Sequence, residues 1–326
     1  MSQSNLAVAG LAARPGEKTA AYVDITIADV AVRLPMFLIN GPSAGPTFVL
    51  TAGIHGGEYP CVEAAVRLGR TLHPAHLRGQ MIIVPSANPI AFARRSIYIT
   101  PIDGKNLNRQ FPGDPEGTFT EAWAFWLFEE IIRRADYYVD LHGGDMIEAL
   151  VPFVSYNLTG NPAVDAAARA MGQVFGIRYV LEKRNPGNLG GTTYAAAARA
   201  GIPALLAEAG GQGVWDEPSV EILRAGVRRV LAHFEMYPGI DDPGEETEVL
   251  TGWSWLRAEA DGLFYPRVEV GEHVAAGQNL GHVADIFGAV LQPLPSPVSG
   301  QILFLVTSLA MNTGDPLMAI AYREEA

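Results

Sequence analysis

Short unbroken apolar runs alternate along this chain with longer stretches whose apolar positions recur at helical spacing. Phe48–Ile54, Met81–Pro85, Tyr137–Leu141 and Pro203–Ala207 are too short for helices and carry no polar face, so they predict buried strands. Between them, Tyr59–Leu72, Thr120–Ala135, Asn161–Phe175, Thr192–Ala200 and Ser219–Met236 predict helices. Trp123, Phe125, Trp126, Leu127, Phe128, Ile131 and Ile132 give the second of these a broad apolar face, and Asn161-Pro162 supplies the third with a cap and a first position. Strands that alternate with helices predict an α/β fold, a mostly parallel or mixed sheet covered by helices.

The pattern changes after Tyr237. A polar Pro/Gly-rich stretch, residues 238–246, is followed by short runs punctuated by Gly262, Gly271, Gly277, Gly281, Gly288, Gly300 and Gly314. Evenly spaced turns without helical stretches predict a small all-β barrel-sandwich domain. The expected division is residues 1–240 for a catalytic domain and 250–326 for the β-domain.

The strand ends carry the polar chemistry. Phe48–Ile54 runs into His55-Gly56-Gly57-Glu58, and Tyr137–Leu141 runs into His142-Gly143-Gly144. Carboxyl ends of strands are where open α/β sheets place their sites, and the glycines permit tight turns there. Alone, H-x-x-E is a common tetrapeptide. With a second histidine delivered by another strand end, His55, Glu58 and His142 form the two-histidine, one-carboxylate set of an open catalytic zinc site, one ion per subunit. Ala204–Ala207 ends at Glu208, before Ala209-Gly210-Gly211, where partial burial would raise a carboxylate toward the range of a general base. The polar segment Asp103–Gly113 contains Asn108-Arg109, a pair suited to gripping a substrate carboxylate, or else an incidental surface loop. Together these pieces describe hydrolysis of an amide beside a carboxylate.

Bulk properties narrow the field. The chain has 326 residues with 23 basic and 35 acidic side chains, net −12, and no basic stripe, which argues against nucleic acid. The single cysteine, Cys61, excludes an intrachain disulfide or a cysteine-based zinc cluster, and reads as a buried small apolar residue. Neither a signal peptide nor a membrane span is visible, so a cytoplasmic enzyme acting on a small molecule is expected, with a homo-oligomer an open option. His73, His76, His233, His273 and His282 read as surface, capping or turn residues.

Four motifs, G-I-H-G-G-E at 53–58, N-L-N-R-Q-F-P-G at 106–113, D-L-H-G-G at 140–144 and A-E-A-G-G at 207–211, give the chain a resemblance to the succinylglutamate desuccinylase/aspartoacylase family, relatives of the zinc carboxypeptidases. Within it, the chain is most similar to members of the N-acetyl-diaminobutyrate deacetylase type. The resemblance implies zinc at His55, Glu58 and His142, Glu208 as general acid/base, and Asn108 and Arg109 on the substrate's α-carboxylate. It also implies an oxyanion-stabilising arginine shortly before the P-x-D-G segment. By register that spot is Tyr98; Arg95, just upstream, is the expected substitute. No arginine aligns where aspartoacylase reads the acyl group's own carboxylate, since Ala197 lies there and Arg199 is off register. An N-acyl amino acid, acetyl or succinyl, is the expected substrate, and the missing arginine argues against a dicarboxylic acyl group and makes a simple acetyl group at least as fitting. A metallocarboxypeptidase acting on small peptides and a non-catalytic binding protein are the rival readings. The tail is similar to a lipoyl/biotinyl barrel, but no lysine follows Lys183, so it cannot carry a lysine-attached group. A lid or an oligomer contact is the expected role.

Overall fold

The computed structural model describes residues 3–184 and 191–324. In chain order its strands are β1 (Leu6–Val8), β2 (Leu11–Ala13), β3 (Lys18–Ile27), β4 (Val30–Asn40), β5 (Ser43–Ala52), β6 (Arg78–Val84), β7 (Tyr137–His142), β8 (Glu148–Leu150), β9 (Phe153–Asn157), β10 (Tyr179–Lys183) and β11 (Ala204–Glu208). The helices are α1 (Tyr59–Thr71), α2 (Pro89–Arg94), α3 (Phe119–Glu130), α4 (Pro162–Val174), α5 (Thr193–Arg199) and α6 (Glu217–His233). No helix among the described residues is long and apolar enough to cross a membrane.

A nine-stranded mixed sheet has the order β12-β10-β9-β11-β7-β5-β6-β4-β3, its first strand being β12 (Glu248–Leu250). The centre, β11-β7-β5-β6, is parallel. The strands beyond it reverse: β9 pairs antiparallel with β11, and β4 with β6. The four expected strands are these central four, because a strand buried on both faces writes an unbroken apolar run. One face of the sheet packs α3 and α5 around Trp123, Phe128, Tyr138 and Leu206; the other packs α1, α4 and α6 around Phe48, Leu68, Phe175 and Val227. α4 starts at the expected cap, where Asn161 Oδ1 accepts from Ala163 N at 3.1 Å with Pro162 following; α6 starts two residues before the expected Ser219, where Asp216 Oδ1 accepts from Ser219 N at 2.9 Å. The polar stretch after Tyr237 returns to the sheet, since β12 pairs parallel with β10.

The remaining strands are β13 (Gly252–Arg257), β14 (Gly262–Pro266), β15 (His273–Val274), β16 (Asn279–Ala284), β17 (Val290–Pro295), β18 (Gly300–Val306), β19 (Ala310–Met311) and β20 (Pro316–Tyr322). They form two antiparallel sheets, β13-β20-β18-β15 and β17-β16-β14-β19, around one core that includes Phe264, Val274, Leu280, Ile302 and Leu317. The two architectures are stitched together by β8, which leaves the β7 end and pairs antiparallel with β18, Glu148 opposite Val306.

Candidate active site

Parallel pairing puts three strand ends side by side. Ala52 stands opposite Leu141, and Glu208 opposite His142, so the His55 turn, His142 and Glu208 emerge at one edge of the sheet. There His55, Glu58 and His142 offer ligand atoms that all lie within 4.8 Å of one another. Glu58 sits between the rings: His55 Nδ1 is 2.6 Å from Oε1 and His142 Nδ1 is 3.0 Å from Oε2. Only the first contact is aligned as a hydrogen bond, and Oε2 is buried without a donor.

The far nitrogens of both rings are held. His142 Nε2 is 2.9 Å from Asp140 Oδ2, and His55 Nε2 is 3.2 Å from Asn106 Oδ1. Asp140 is fully buried; it also accepts from Thr51 Oγ1 at 2.6 Å and from Thr193 Oγ1. Both Nδ1 atoms are therefore turned toward one carboxylate, with the second nitrogen fixed by an acceptor, as in histidines that ligate metals. A shielded carboxylate oxygen without a donor, facing two oriented imidazoles, fits a divalent ion.

The charges are tightly linked. Burial opposes ionisation of Glu58, but His55 and His142 outweigh it and hold its pKa down to about 2. Burial likewise lowers the pKa of His142, and Asp140 and Glu58 more than reverse that, leaving it well above the ordinary histidine value. The Glu208 carboxyl lies at the same edge with Oε2 buried and unpartnered. Burial pushes its pKa well up, Glu58, Glu148 and Asp140 push it further, and His142 only partly offsets them. A carboxyl that resists ionisation beside a metal-type cluster has the character of a proton carrier.

Asn108 is buried at the cluster: Nδ2 is 3.4 Å from His142 Nε2, while Oδ1 accepts from Thr193 N at 3.0 Å. Arg109 is exposed next to it and donates Nη1 to the Asn108 carbonyl at 2.8 Å. Arg95 is not brought in. It caps α2 in a left-handed conformation with an exposed side chain, which makes no hydrogen bond or ion pair among the described residues. Arg199 reaches the Phe111 carbonyl at 3.4 Å, and Ala197 is buried in the core. Cys61 is buried as expected, its Sγ 3.0 Å from the Glu58 carbonyl.

The motif containing His142 was read for its histidine alone, and Asp140 went unassigned. Its signal was present, since residues two apart on a strand share a face. Asp145 and Glu148, in the turn after His142, are also buried. Asp145 Oδ2 accepts from Tyr98 N and Oδ1 from Met146 N, at 2.8 and 2.7 Å, and Glu148 Oε2 accepts from Asp145 N at 2.7 Å. Burial raises the Glu148 carboxyl to about 7.

A family model described as the succinylglutamate desuccinylase/aspartoacylase catalytic domain matches residues 44–234. The chain belongs to this family. N-alpha-acetyl-L-2,4-diaminobutyric acid deacetylase of Halomonas elongata is 29% identical over 300 residues, 89% of this chain and 86% of that protein. A succinylglutamate desuccinylase/aspartoacylase from Rhodobacter sphaeroides superposes with a TM-score of 0.85 at 28% identity, covering 96% of this chain and 97% of the other. The product-bound ectoine utilisation protein EutE (DoeB) from Ruegeria pomeroyi gives a TM-score of 0.84 at 28% identity over 98% of both chains. The likeness extends over the C-terminal sandwich as well as the central sheet, so the expected family and fold class are both borne out.

Proposed function

We propose that the protein is a zinc-dependent deacylase that hydrolyses the amide bond of an N-acyl amino acid, releasing a carboxylate and a free amine. The carrying observation is the convergence of His55, Glu58 and His142 on one point with Glu208 beside them. The similarity to the N-alpha-acetyl-L-2,4-diaminobutyric acid deacetylase of Halomonas elongata supports the same reading.

His55 and His142 through Nδ1, with Glu58, would hold a zinc ion, which supplies an electrophile for the carbonyl oxygen and acidifies water. Asp140 and Asn106 keep the imidazoles oriented. Glu208 accepts the proton of the attacking water and delivers it to the departing nitrogen, a role suited to a shielded carboxyl with a raised pKa. Asn108 has Nδ2 available, since its Oδ1 is taken by Thr193, and the Arg109 guanidinium can pair with the α-carboxylate. Arg199 is engaged by the Phe111 carbonyl, and no arginine among the described residues contacts the cluster, which favours an acetyl over a succinyl group. On this reading residues 1–240 carry the chemistry, and the sandwich beyond residue 250 buttresses it through β8 and β18.

The test combines metal analysis with amine release from N-acetyl and N-succinyl amino acids. Purified protein should hold about one zinc per chain and lose it in His142→Ala. Glu208→Gln should keep the metal while turnover falls about 10²–10⁴-fold. Full metal retention in both His55→Ala and His142→Ala would sink the assignment.

A further inference from the structure

Tyr98 carries two energetic costs at once. Its backbone is left-handed, with φ of 59°, a conformation that bulky residues rarely adopt. Its hydroxyl is shielded from water and has no aligned hydrogen-bond partner, a second cost to the folded state. Strain and an orphaned polar group on one residue mark a functional position when the surroundings hold it in place. Here they do, because Tyr98 N is fixed by Asp145 Oδ2 at 2.8 Å.

The surroundings are also those of the site. A Cβ added to Gly57, in the turn between His55 and Glu58, would collide with Asp145 Oδ1. One added to Gly144 after His142, or to Gly211 after Glu208, would collide with the Glu148 carbonyl. Asp145 and Glu148 are thus wedged among the three turns that carry the cluster and Glu208, and Tyr98 joins them through its backbone N on Asp145 and its hydroxyl near Glu148. The phenol is beside the Glu148 carboxylate without a directed hydrogen bond to it; burial first, then Glu148, Asp145 and Asp315, keep it protonated. The polar contacts of His55, Glu58 and His142 are to Asn106, Asn108, Asp140 and one another, with no arginine among the described residues.

We propose that Tyr98 is a catalytic hydrogen-bond donor whose phenol takes the scissile carbonyl oxygen of the substrate as its acceptor while negative charge develops there. The inference rests on the deacylase reading above. No proton is transferred: the O–H stays intact, and the hydrogen bond strengthens as the carbonyl becomes an oxyanion.

The experiment is Tyr98→Phe, assayed beside the wild type with N-acetyl-2,4-diaminobutyrate and other N-acetyl amino acids. Expected is a fall in kcat of about 10²-fold with KM held within about threefold, the pattern of a contact made in the transition state. Affinity for a tetrahedral phosphinate analogue should fall by the same factor. The melting temperature should stay level or rise, because the change removes an unpaired buried hydroxyl. Unchanged turnover, or a loss confined to KM, would overturn the proposal. A lowered melting temperature with proportionate loss of folded protein would do the same, by assigning Tyr98 a structural hydrogen bond to Glu148. A wild type that releases no amine from any N-acyl amino acid overturns the deacylase reading and the Tyr98 role together; an active wild type with an equally active variant overturns Tyr98 alone.

Discussion

At the edge formed by β5, β7 and β11 the glycines are crowded, whereas in the C-terminal sandwich several stand in the open. Gly57 faces the Asp145 carboxylate, Gly143 the Ala209 carbonyl, and Gly144 and Gly211 the Glu148 carbonyl, each too close for a side chain. Gly277, Gly288 and Gly314 have positive φ and nothing within 4 Å of an added Cβ. At the site turns glycine is needed for what other segments bring against it; at these three sandwich turns it only turns the chain, while crowded sandwich glycines such as Gly262, Gly281 and Gly300 lie within strands and face their own sheet neighbours. Crowding of that kind draws distant strand ends into one pocket, and open turns cannot. On the proposed reading, the difference separates turns that assemble the site from turns that only shape the sandwich.

The comparison is most directly broken at Gly57. Gly57→Ala drives a methyl group into Asp145 and Met146, so the turn carrying His55 and Glu58 must move. A displacement near 1 Å should lower turnover about 10²-fold and weaken metal binding, read by steady-state rates and metal titration. Normal activity in this variant would show that the turn has slack the packing does not suggest.

Glu148 sharpens the comparison because it belongs to both regions. Its raised pKa, about 7, means that the folded state holds the proton more tightly than the unfolded chain. The group's contribution therefore weakens the fold as pH rises from about 4.5 to about 7, and Glu148→Gln should remove that slope. Chemical denaturation at pH 5 and pH 8 checks it: the wild type should lose more stability than the variant across the interval. Equal losses would mean that Glu148 ionises freely.

The smallest effect belongs to the sandwich. Gly288→Ala places a side chain at φ of 86° in open space, so it should cost about 1 kcal/mol of stability and leave turnover unchanged. A change in turnover would tie that turn to the site.

The sequence made the central strands and the cluster legible for a shared physical reason. Fully buried strands leave apolar runs, and the parallel sheet then places their ends together without further information. The outer hairpin was not visible. β3 is exposed or half-buried, with Val23 its one buried residue, β4 alternates buried with more exposed positions, and the two turn at Ala28-Asp29, non-glycine residues at φ of 46° and 62° that give no punctuation. β9 was also missed; it is a five-residue strand, wholly buried, whose antiparallel place beside β11 breaks the strand–helix alternation. Among site residues, Arg95 was expected from its charge and position in the chain, yet the left-handed end of α2 leaves its side chain in solvent. Asp140 was marked by its place two residues before His142 on β7 and Tyr98 by its register, but what they and Asp145 touch comes from elsewhere in the chain, which no local pattern writes.

The pairing of β8 with β18 also bears on how the molecule is made. Glu148 is aligned by Val306, about 160 residues further along, one of the longest-range contacts next to the cluster. During synthesis the histidines and Glu58 emerge early, and Glu208 soon after, while the loop bearing Asp145 and Glu148 must wait for β18 before it is pinned. A ribosome-bound chain thus passes through a stage with every member of the cluster present and the wall beside it unset, and on the deacylase reading competence arrives late, with the closing strands.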